Sequence, residues 1–301
     1  MSERVAQRTG VLAAVAAFLM WGMFPLYWKQ LAAVPALEVV AHRTAWGFVA
    51  VAVWVTLQRR WREARAIAAR PRVVLTLALT AVLIAVNWSL YVWAVINGHI
   101  VESSLGYYIN PLVNVVLGVV VLHERLGRVR RVAVALAGVG VAVLTVGYGR
   151  FPWIALGLAL TFAFYGLLRK TVAADAVMGL LYETAILTPL AAGYLALVAS
   201  RGTGALGRLG HATDALLILG GVVTAVPLAL FAVGARGLPL STLGLFQYIS
   251  PSMQFLLAVL LYREPFTPAH AAAFACIWAA LALLTWDLRR RLRAIPAPAP
   301  R

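Results

Sequence analysis

The sequence has little charge and very few acidic residues. Only 12% of its 301 residues are charged, 63% are hydrophobic, and ten are Asp or Glu. A soluble domain needs a far more polar surface, so the composition excludes one and indicates an integral membrane protein. The sequence also lacks a phosphate-binding loop, a His-Glu-x-x-His pair, a nucleophile elbow and an acidic cluster for magnesium. We therefore expect no enzyme, no cofactor and no metal site.

Cysteine is almost absent as well. Cys276 is the single cysteine, which excludes an intramolecular disulfide and a thiolate metal cluster, and we expect it to pack in the last membrane span.

Basic residues are in excess and give a net charge of +16. They lie at predicted helix ends rather than on one basic domain, which argues against nucleic acid as a partner. Their expected contact is the anionic lipid of the bilayer.

Long apolar runs fill most of the chain. A helix needs about 20 apolar residues to cross a hydrocarbon core roughly 30 Å thick. Windows of that size predict an all-α membrane protein with ten transmembrane helices. They lie near residues 10–28, 36–57, 73–96, 103–122, 130–147, 152–168, 178–199, 214–235, 241–262 and 267–286.

Arginine and lysine mark one side of the membrane. If the N-terminus is cytoplasmic, most basic residues fall on the inner side, including the runs 59–72 and 289–301. The outer segments then hold only Lys29, Arg150, Arg201, Arg208 and Arg263, and Arg43 lies within a span. This bias follows the positive-inside rule and places both termini in the cytoplasm.

One stretch of the chain recurs. Residues 103–124 are repeated loosely at 241–264, and Pro111 and Pro251 each precede a glutamate, Glu124 or Glu264, by the same distance. An odd number of spans separates the copies, so the second copy enters the membrane from the opposite side. We predict two inverted five-helix repeats, residues 1–147 and 148–288, and a basic Pro/Ala-rich tail, residues 289–301, that is disordered.

Polar residues occupy matching positions in the two copies. They recur at i, i+3 and i+7, which places them on one face of each helix and indicates a central transport path. With the neighbouring aromatic residues, they give the candidate substrate-binding set Trp21, Asn87, Trp88, Tyr91, Tyr107, Asn110, Asn114, Gln247, Ser250 and Gln254. The alternative is that each amide only joins two helices by a hydrogen bond. Trp28, Trp61 and Trp153 are interpreted as anchors at the membrane interface.

Carboxylates within the spans have two interpretations. Glu38, His42 and Glu183 are candidates for proton coupling, but an ion pair that fastens helix ends is the preferred interpretation of the two carboxylates. Glu124 and Glu264 are expected to be solvated or to form ion pairs beside Arg125 and Arg263.

Proline and glycine bear on helix geometry. Pro111 and Pro251 are expected to kink their helices in mid-span. Close helix approach is expected at Gly118, Gly138, Gly140, Gly157 and Gly166.

Five segments together resemble a known family. They are FLMWGMFPLYWKQL, VPALEVVAHRTAW, NWSLYVWAVINGHIVESSLGYYINPL, FYGLLRK and STLGLFQYISPSMQFLLAVLLYREPF. Over roughly residues 10 to 286 the chain resembles the RarD subfamily of EamA-type permeases, in the drug/metabolite transporter superfamily. The resemblance implies a ten-helix bundle of inverted repeats in a bacterial inner membrane that moves small metabolites or drugs, often outward.

The residues and the resemblance together predict a secondary transporter that works by alternating access. Its amide-rich and aromatic lining favours a small neutral or zwitterionic solute with an aromatic or apolar part. A transporter of phosphorylated sugars or nucleotide-sugars is an alternative, although it would favour Lys or Arg near the midplane, where only Arg43 comes close. A non-transporting membrane scaffold or regulatory subunit is a second alternative, and it would not need the paired polar stripes.

Overall fold

The structure is a computed structural model that describes residues 3–122, 127–148, 151–237 and 246–293. All regular secondary structure in these ranges is helical. The helices are α1 (Glu3–Gly22), α2 (Phe24–Lys29), α3 (Ala36–Leu57), α4 (Trp61–Ala68), α5 (Pro71–Ile96), α6 (Ile100–Leu122), α7 (Arg128–Tyr148), α8 (Trp153–Thr171), α9 (Ala176–Ser200), α10 (His211–Gly237), α11 (Ile249–Leu256) and α12 (Pro268–Arg293). A π-helical turn, Leu257–Leu261, follows α11.

Six helical segments in the described ranges are long and apolar enough to cross a membrane. They cover residues 9–29, 36–57, 71–96, 176–200, 211–228 and 268–287, and shorter apolar helices cover 131–147, 153–169 and 249–261. The prediction of an all-α membrane protein is confirmed at this level. The larger number of ten spans and their inverted arrangement stay predictions. The prediction of a disordered tail is wrong for residues 289–293, which continue α12, and residues 294–301 lie outside the described residues.

The helices pack in a recurring set of pairs. The helix α7 lies against α12, α1 against α10 and α11, and α6 against α8 and α11. The helix α3 lies against α9, α10 and α5, and α5 also contacts α8 and α9. The bundle therefore brings helices from the first and second halves of the chain together throughout.

Glycine allows some of these helices to come close. A Cβ at Gly140 would lie 3.1 Å from the carbonyl oxygen of Ala273, and one at Gly157 would lie 2.8 Å from the side chain of Leu90. The predicted close approach is confirmed at these two positions and wrong at Gly138 and Gly166, where a Cβ would meet nothing within 4 Å. Gly118 lies in α6, but its surroundings are outside what the structure describes.

Proline interrupts two of the predicted spans. Pro25 follows a break at Gly22–Met23 that separates α1 from α2, and Pro251 lies in the first turn of α11. Because residues 238–245 lie outside the described residues, the predicted mid-span kink at Pro251 stays a prediction. Proline has no N–H to bond the carbonyl four residues earlier, and that residue, Gln247, lies in a turn just before α11. Pro111, by contrast, lies inside α6 as predicted.

Two contacts fasten the short helix α4 to α9. The Arg60 guanidinium pairs with Glu63 and with Asp175, and the Tyr182 hydroxyl donates to the carbonyl of Ala64 at 2.7 Å. Asp175 also caps α9 by accepting from the N–H of Met178 at 2.9 Å. Partial burial acts to raise the pKa of Asp175, but the hydrogen bonds from Met178 and Arg60 outweigh it, so the pKa of this carboxyl is lowered.

Candidate functional site

Arg43 is a buried charge in the middle of the bundle. It lies about 10 Å along α3 from the start of that helix, and only 4% of it is exposed. Its Nε donates to Thr224 Oγ1 of α10 at 2.9 Å. Its guanidinium carbon lies 4.0 Å from the ring centroid of Trp88 and 5.4 Å from that of Trp28. Two helices and two aromatic rings therefore fix the position of this side chain.

The charge of Arg43 is not neutralised by any carboxylate among the described residues. Its electrostatic partners there are the hydroxyl groups of Tyr91 and Tyr107, and its Nη1 atom has no hydrogen-bond partner. The rings of the two tyrosines contact each other at a centroid distance of 5.8 Å, and the buried Tyr91 hydroxyl also has no partner. We call Trp28, Arg43, Trp88, Tyr91, Tyr107 and Thr224 the Arg43 cluster.

A second polar contact joins α1 to α11. Because Pro25 has no N–H, the carbonyl of Trp21 lacks its usual partner within the helix. The Gln254 side chain supplies one, since its Nε2 donates to that carbonyl at 3.2 Å. The Gln254 Oε1 atom is buried and has no partner among the described residues. The Trp21 ring packs against Phe18 and Phe231 rather than standing alone.

The predicted amide residues fall into different settings. Asn87 bridges α5 and α8, because its Nδ2 donates to the Leu158 carbonyl at 3.0 Å and to Thr161 Oγ1 at 2.8 Å. Asn110 is buried, and its Oδ1 lacks a partner in the described part of the chain. Ser250 is half-buried. Asn87 therefore joins two helices by hydrogen bonds, as the alternative interpretation expects. The Oδ1 of Asn110, in contrast, accepts no hydrogen bond from the described residues.

One member of the predicted polar stripes does not fit its stripe, and the side chain of another is not described. Gln247 is exposed and precedes α11, so it does not share a helix face with Ser250 and Gln254. The predicted i, i+3, i+7 set of the second copy is wrong at this position, for the reason given for Pro251. Asn114 lies in α6, but its side chain is outside the described residues.

Glu38 and His42 lie together near the N-terminal end of α3. Glu38 is 2% exposed, and its Oε1 accepts from the N–H of Ala205 at 2.6 Å. His42 Nε2 is 4.0 Å from the same oxygen, while its Nδ1 has no partner in the described structure. The carboxylate thus holds the connection between α9 and α10 against α3.

Glu183 is surrounded by donors on three sides. It is 1% exposed and accepts from Thr80 Oγ1 at 2.8 Å and from the Tyr165 hydroxyl at 3.2 Å. Arg169 Nε lies 3.6 Å from its Oε1. The contacts join α5, α8 and α9, which is the geometry of a structural ion pair.

Glu264 has a partner that the sequence did not suggest. Its two carboxylate oxygens accept from the N–H groups of Ile100 and Val101, at 3.0 and 2.9 Å, at the start of α6. Acceptance from free N–H groups at a helix N-terminus is favourable for a carboxylate. Glu264 is buried, so it caps a helix rather than being solvated or relying on Arg263. Glu124 and Arg125 lie outside the described residues.

The sequence alone did not identify two residues of the Arg43 cluster, Trp28 and Thr224. Trp28 was interpreted as an interface anchor, but it is fully buried and packs beside Arg43, so that interpretation is wrong. Thr224 gave no sequence signal, because one threonine in an apolar helix is ordinary. Arg43 did give one, since a charge within a span costs at least about 2.5–3.5 kcal/mol and needs a reason.

Comparison with known proteins agrees with this architecture. The chain matches the EamA-like transporter family over residues 8–146. It is 47% identical over 295 residues to Protein RarD of Streptomyces exfoliatus, which covers 97% of this chain and 93% of that relative. It is 46% identical over 280 residues to an uncharacterized transporter of Vibrio cholerae serotype O1, covering 93% of each chain.

A solved crystal structure has the same overall fold. It superposes with a TM-score of 0.59 at 19% sequence identity and covers 94% of this chain and 99% of its own. The family and the names of the relatives point to a transporter rather than an enzyme. The chain belongs to the EamA-like transporter family and is a RarD-type permease, a multi-pass membrane transporter.

Proposed function

We propose that this permease is a secondary transporter of the bacterial inner membrane that exports small organic solutes by alternating access. One observation carries the proposal. Among the described residues, buried polar atoms of Arg43, Tyr91, Asn110 and Gln254 have no hydrogen-bond partner. Such atoms cost free energy unless a solute or water satisfies them, so their presence inside a transporter favours a binding path.

The packing of the helices supports two inverted halves. If α1, α3, α5, α6 and α7 correspond to α8, α9, α10, α11 and α12, exchanging the halves converts the observed pairs into one another. The α1–α10 pair becomes α8–α5, the α6–α8 pair becomes α11–α1, and the α3–α10 pair becomes α9–α5. Two halves related in this way can rock around a shared site and open it to each side in turn.

Counterflow in proteoliposomes tests transport itself. We expect vesicles preloaded with a substrate to take up labelled substrate, within a panel of amino acids, aromatic metabolites and amphenicols. Asn110→Leu removes a buried free acceptor and should reduce this flux at least about tenfold, since an interaction of about 1.4 kcal/mol with the solute is lost. Empty liposomes and an unrelated membrane protein provide the background. Unchanged flux in Asn110→Leu, with normal folding, would favour the scaffold alternative.

Imposed pH gradients address Glu38, His42 and Glu183. These residues stay the candidates for proton coupling, but both carboxylates are occupied by protein donors. We therefore expect net uptake to be the same with and without a gradient. Accumulation that follows the gradient and disappears in Glu183→Gln would assign the coupling to that carboxylate.

Single-cysteine labelling tests the proposed sidedness. In a Cys276→Ala background, we expect Arg125→Cys to react with a membrane-impermeant maleimide only from the cytoplasmic side and Arg263→Cys only from the outer side. This result follows from an odd number of spans between the two positions and from cytoplasmic termini. Reaction of both cysteines from the same side would rule out the inverted arrangement.

A further inference from the structure

We infer that the Arg43 cluster binds a carboxylate of the transported solute, so that the substrates are small organic acids or amino acids with an apolar or aromatic part. The inference rests on the proposed transport function and names its substrate class. The amide-rich stripe alone predicts no charge on the solute. This inference gives the solute a negative charge and names Arg43 as the partner of that charge.

The first argument is the charge balance of the cluster. Arg43 is buried among Trp28, Trp88 and two tyrosines, and no carboxylate among the described residues pairs with it. A buried charge in a protein is ordinarily paired. Arg169, in contrast, faces a buried carboxylate: it is paired with Glu183 and donates to the carbonyl of Asp175. Arg43 is therefore a fixed positive charge for which the solute can supply the counter-charge.

The second argument is the direction of the free hydrogen bonds. The Nη1 atom of Arg43 can only donate, and the hydroxyl of Tyr91 has a proton to donate. The Nε atom is already held by Thr224, which fixes the plane of the guanidinium. The guanidinium is planar, is held at Nε and has a free N–H at Nη1, so it can bind a carboxylate. Arg binds carboxylates with directed, charge-assisted hydrogen bonds.

The surroundings favour a carboxylate over a phosphate. A phosphate monoester carries close to two charges at neutral pH, and Arg43 is the only cation that the described structure places in the cluster. The indole rings of Trp28 and Trp88 border the guanidinium, and the partly exposed Trp88 ring offers apolar surface to the rest of the solute. One guanidinium beside aromatic rings fits a singly charged acid with an apolar part.

Matched acid and amide pairs test the inference by binding rather than transport. The purified full-length protein in lipid nanodiscs is titrated with benzoate and benzamide, phenylacetate and phenylacetamide, and L-phenylalanine and its amide, and thermal stability is recorded. A ligand that binds the folded state raises the melting temperature according to its occupancy. We expect at least one acid to raise the melting temperature more than its amide does.

Substitutions assign the effect to the cluster. Arg43→Gln should weaken acid binding at least about tenfold, and Arg43→Lys should recover only part of it, because the amine lacks the planar fork. Tyr91→Phe removes a hydroxyl without a protein partner, so it should weaken acid binding and leave the unliganded melting temperature unchanged. Tyr182→Phe is the matched control, because its hydroxyl bonds to the carbonyl of Ala64 and not to the Arg43 cluster. That variant should lose stability and keep the preference for the acid.

Three results would overturn the inference. They are equal effects of acid and amide throughout the panel, an acid preference that survives in Arg43→Gln, and stronger stabilisation by phenyl phosphate than by every acid.

Failure of the proposed transport function would give different results. If acids bind in an Arg43-dependent way but no solute is exchanged in counterflow, the binding site stands and the transport proposal fails. If amides and acids exchange equally in wild type and in Arg43→Gln, transport stands and the carboxylate site fails.

Discussion

The Gly221→Ala variant should lose about 3 kcal/mol or more of unfolding free energy and lose transport. A Cβ at Gly221 would overlap the backbone carbonyl of Trp46 and lie 2.6 Å from the backbone nitrogen of Gly47. Backbone atoms cannot rotate away as a side chain can, so α10 would have to move off α3, and overpacking of this kind costs 1–3 kcal/mol or more. Thr224 lies one turn further along α10 and would move away from Arg43 Nε. Unfolding in mixed micelles gives the free energy, and counterflow gives the transport.

Gly193→Ala provides the matched control. Gly193 lies inside α9, and a Cβ there would meet nothing within 4 Å. We expect the unfolding free energy to change by less than about 1 kcal/mol, in the stabilising direction, because alanine is the better helix former. If both alanine variants behave alike, the close contact between α3 and α10 does not exist.

Glu183→Ala should destabilise the protein by about 3 kcal/mol. The substitution leaves the buried Thr80 hydroxyl without its side-chain acceptor and Arg169 without its carboxylate, and removing one partner of a buried ion pair costs about 3–5 kcal/mol. The lower end applies here because Arg169 is 14% exposed and keeps its bond to the Asp175 carbonyl. The melting temperature and the mixed-micelle unfolding free energy are the measurements.

Two variants separate the ion pair from the hydrogen bonds. Glu183→Gln keeps an acceptor for Thr80 and Tyr165, so it should cost clearly less than alanine. Glu63→Gln removes a carboxylate that is 44% exposed and paired with Arg60, and it should cost less than about 1 kcal/mol. If Glu183→Ala is no more harmful than Glu63→Gln, Glu183 does not serve as a structural ion pair, and a role in proton coupling becomes the better explanation.

Much of the helical framework could be predicted from hydropathy alone. The predicted span 36–57 coincides with α3, and the predicted spans 73–96 and 178–199 lie within α5 and α9 and differ from them by at most two residues at either end. These helices have uninterrupted apolar runs, so length and composition suffice. The first predicted span contains two helices, because Pro25 breaks the run at Gly22–Met23. Hydropathy does not register this interruption, since all the residues around it are apolar.

The candidate site was predicted less completely than the fold. The sequence identified Trp88, Tyr91 and Tyr107 because polar aromatic residues recur near the repeated stripe. The structure places Trp88 against Arg43 and the two tyrosines within its electrostatic range. It did not identify Trp28 or Thr224, because their role depends on α2 and α10 meeting α3 in space. Periodicity reports which residues share a face of one helix, but it cannot report which other helix that face contacts.

The Arg43–Thr224 contact also affects how the chain is made. The partner of Arg43 is encoded roughly 180 residues later, and ribosomes add about 5–20 residues per second. For about 10–40 s, nascent α3 therefore carries a guanidinium whose threonine partner has not yet been synthesised. Trp88 emerges earlier and can cover the charge in the meantime. The stacking contact with α5 can therefore form well before the hydrogen bond to α10.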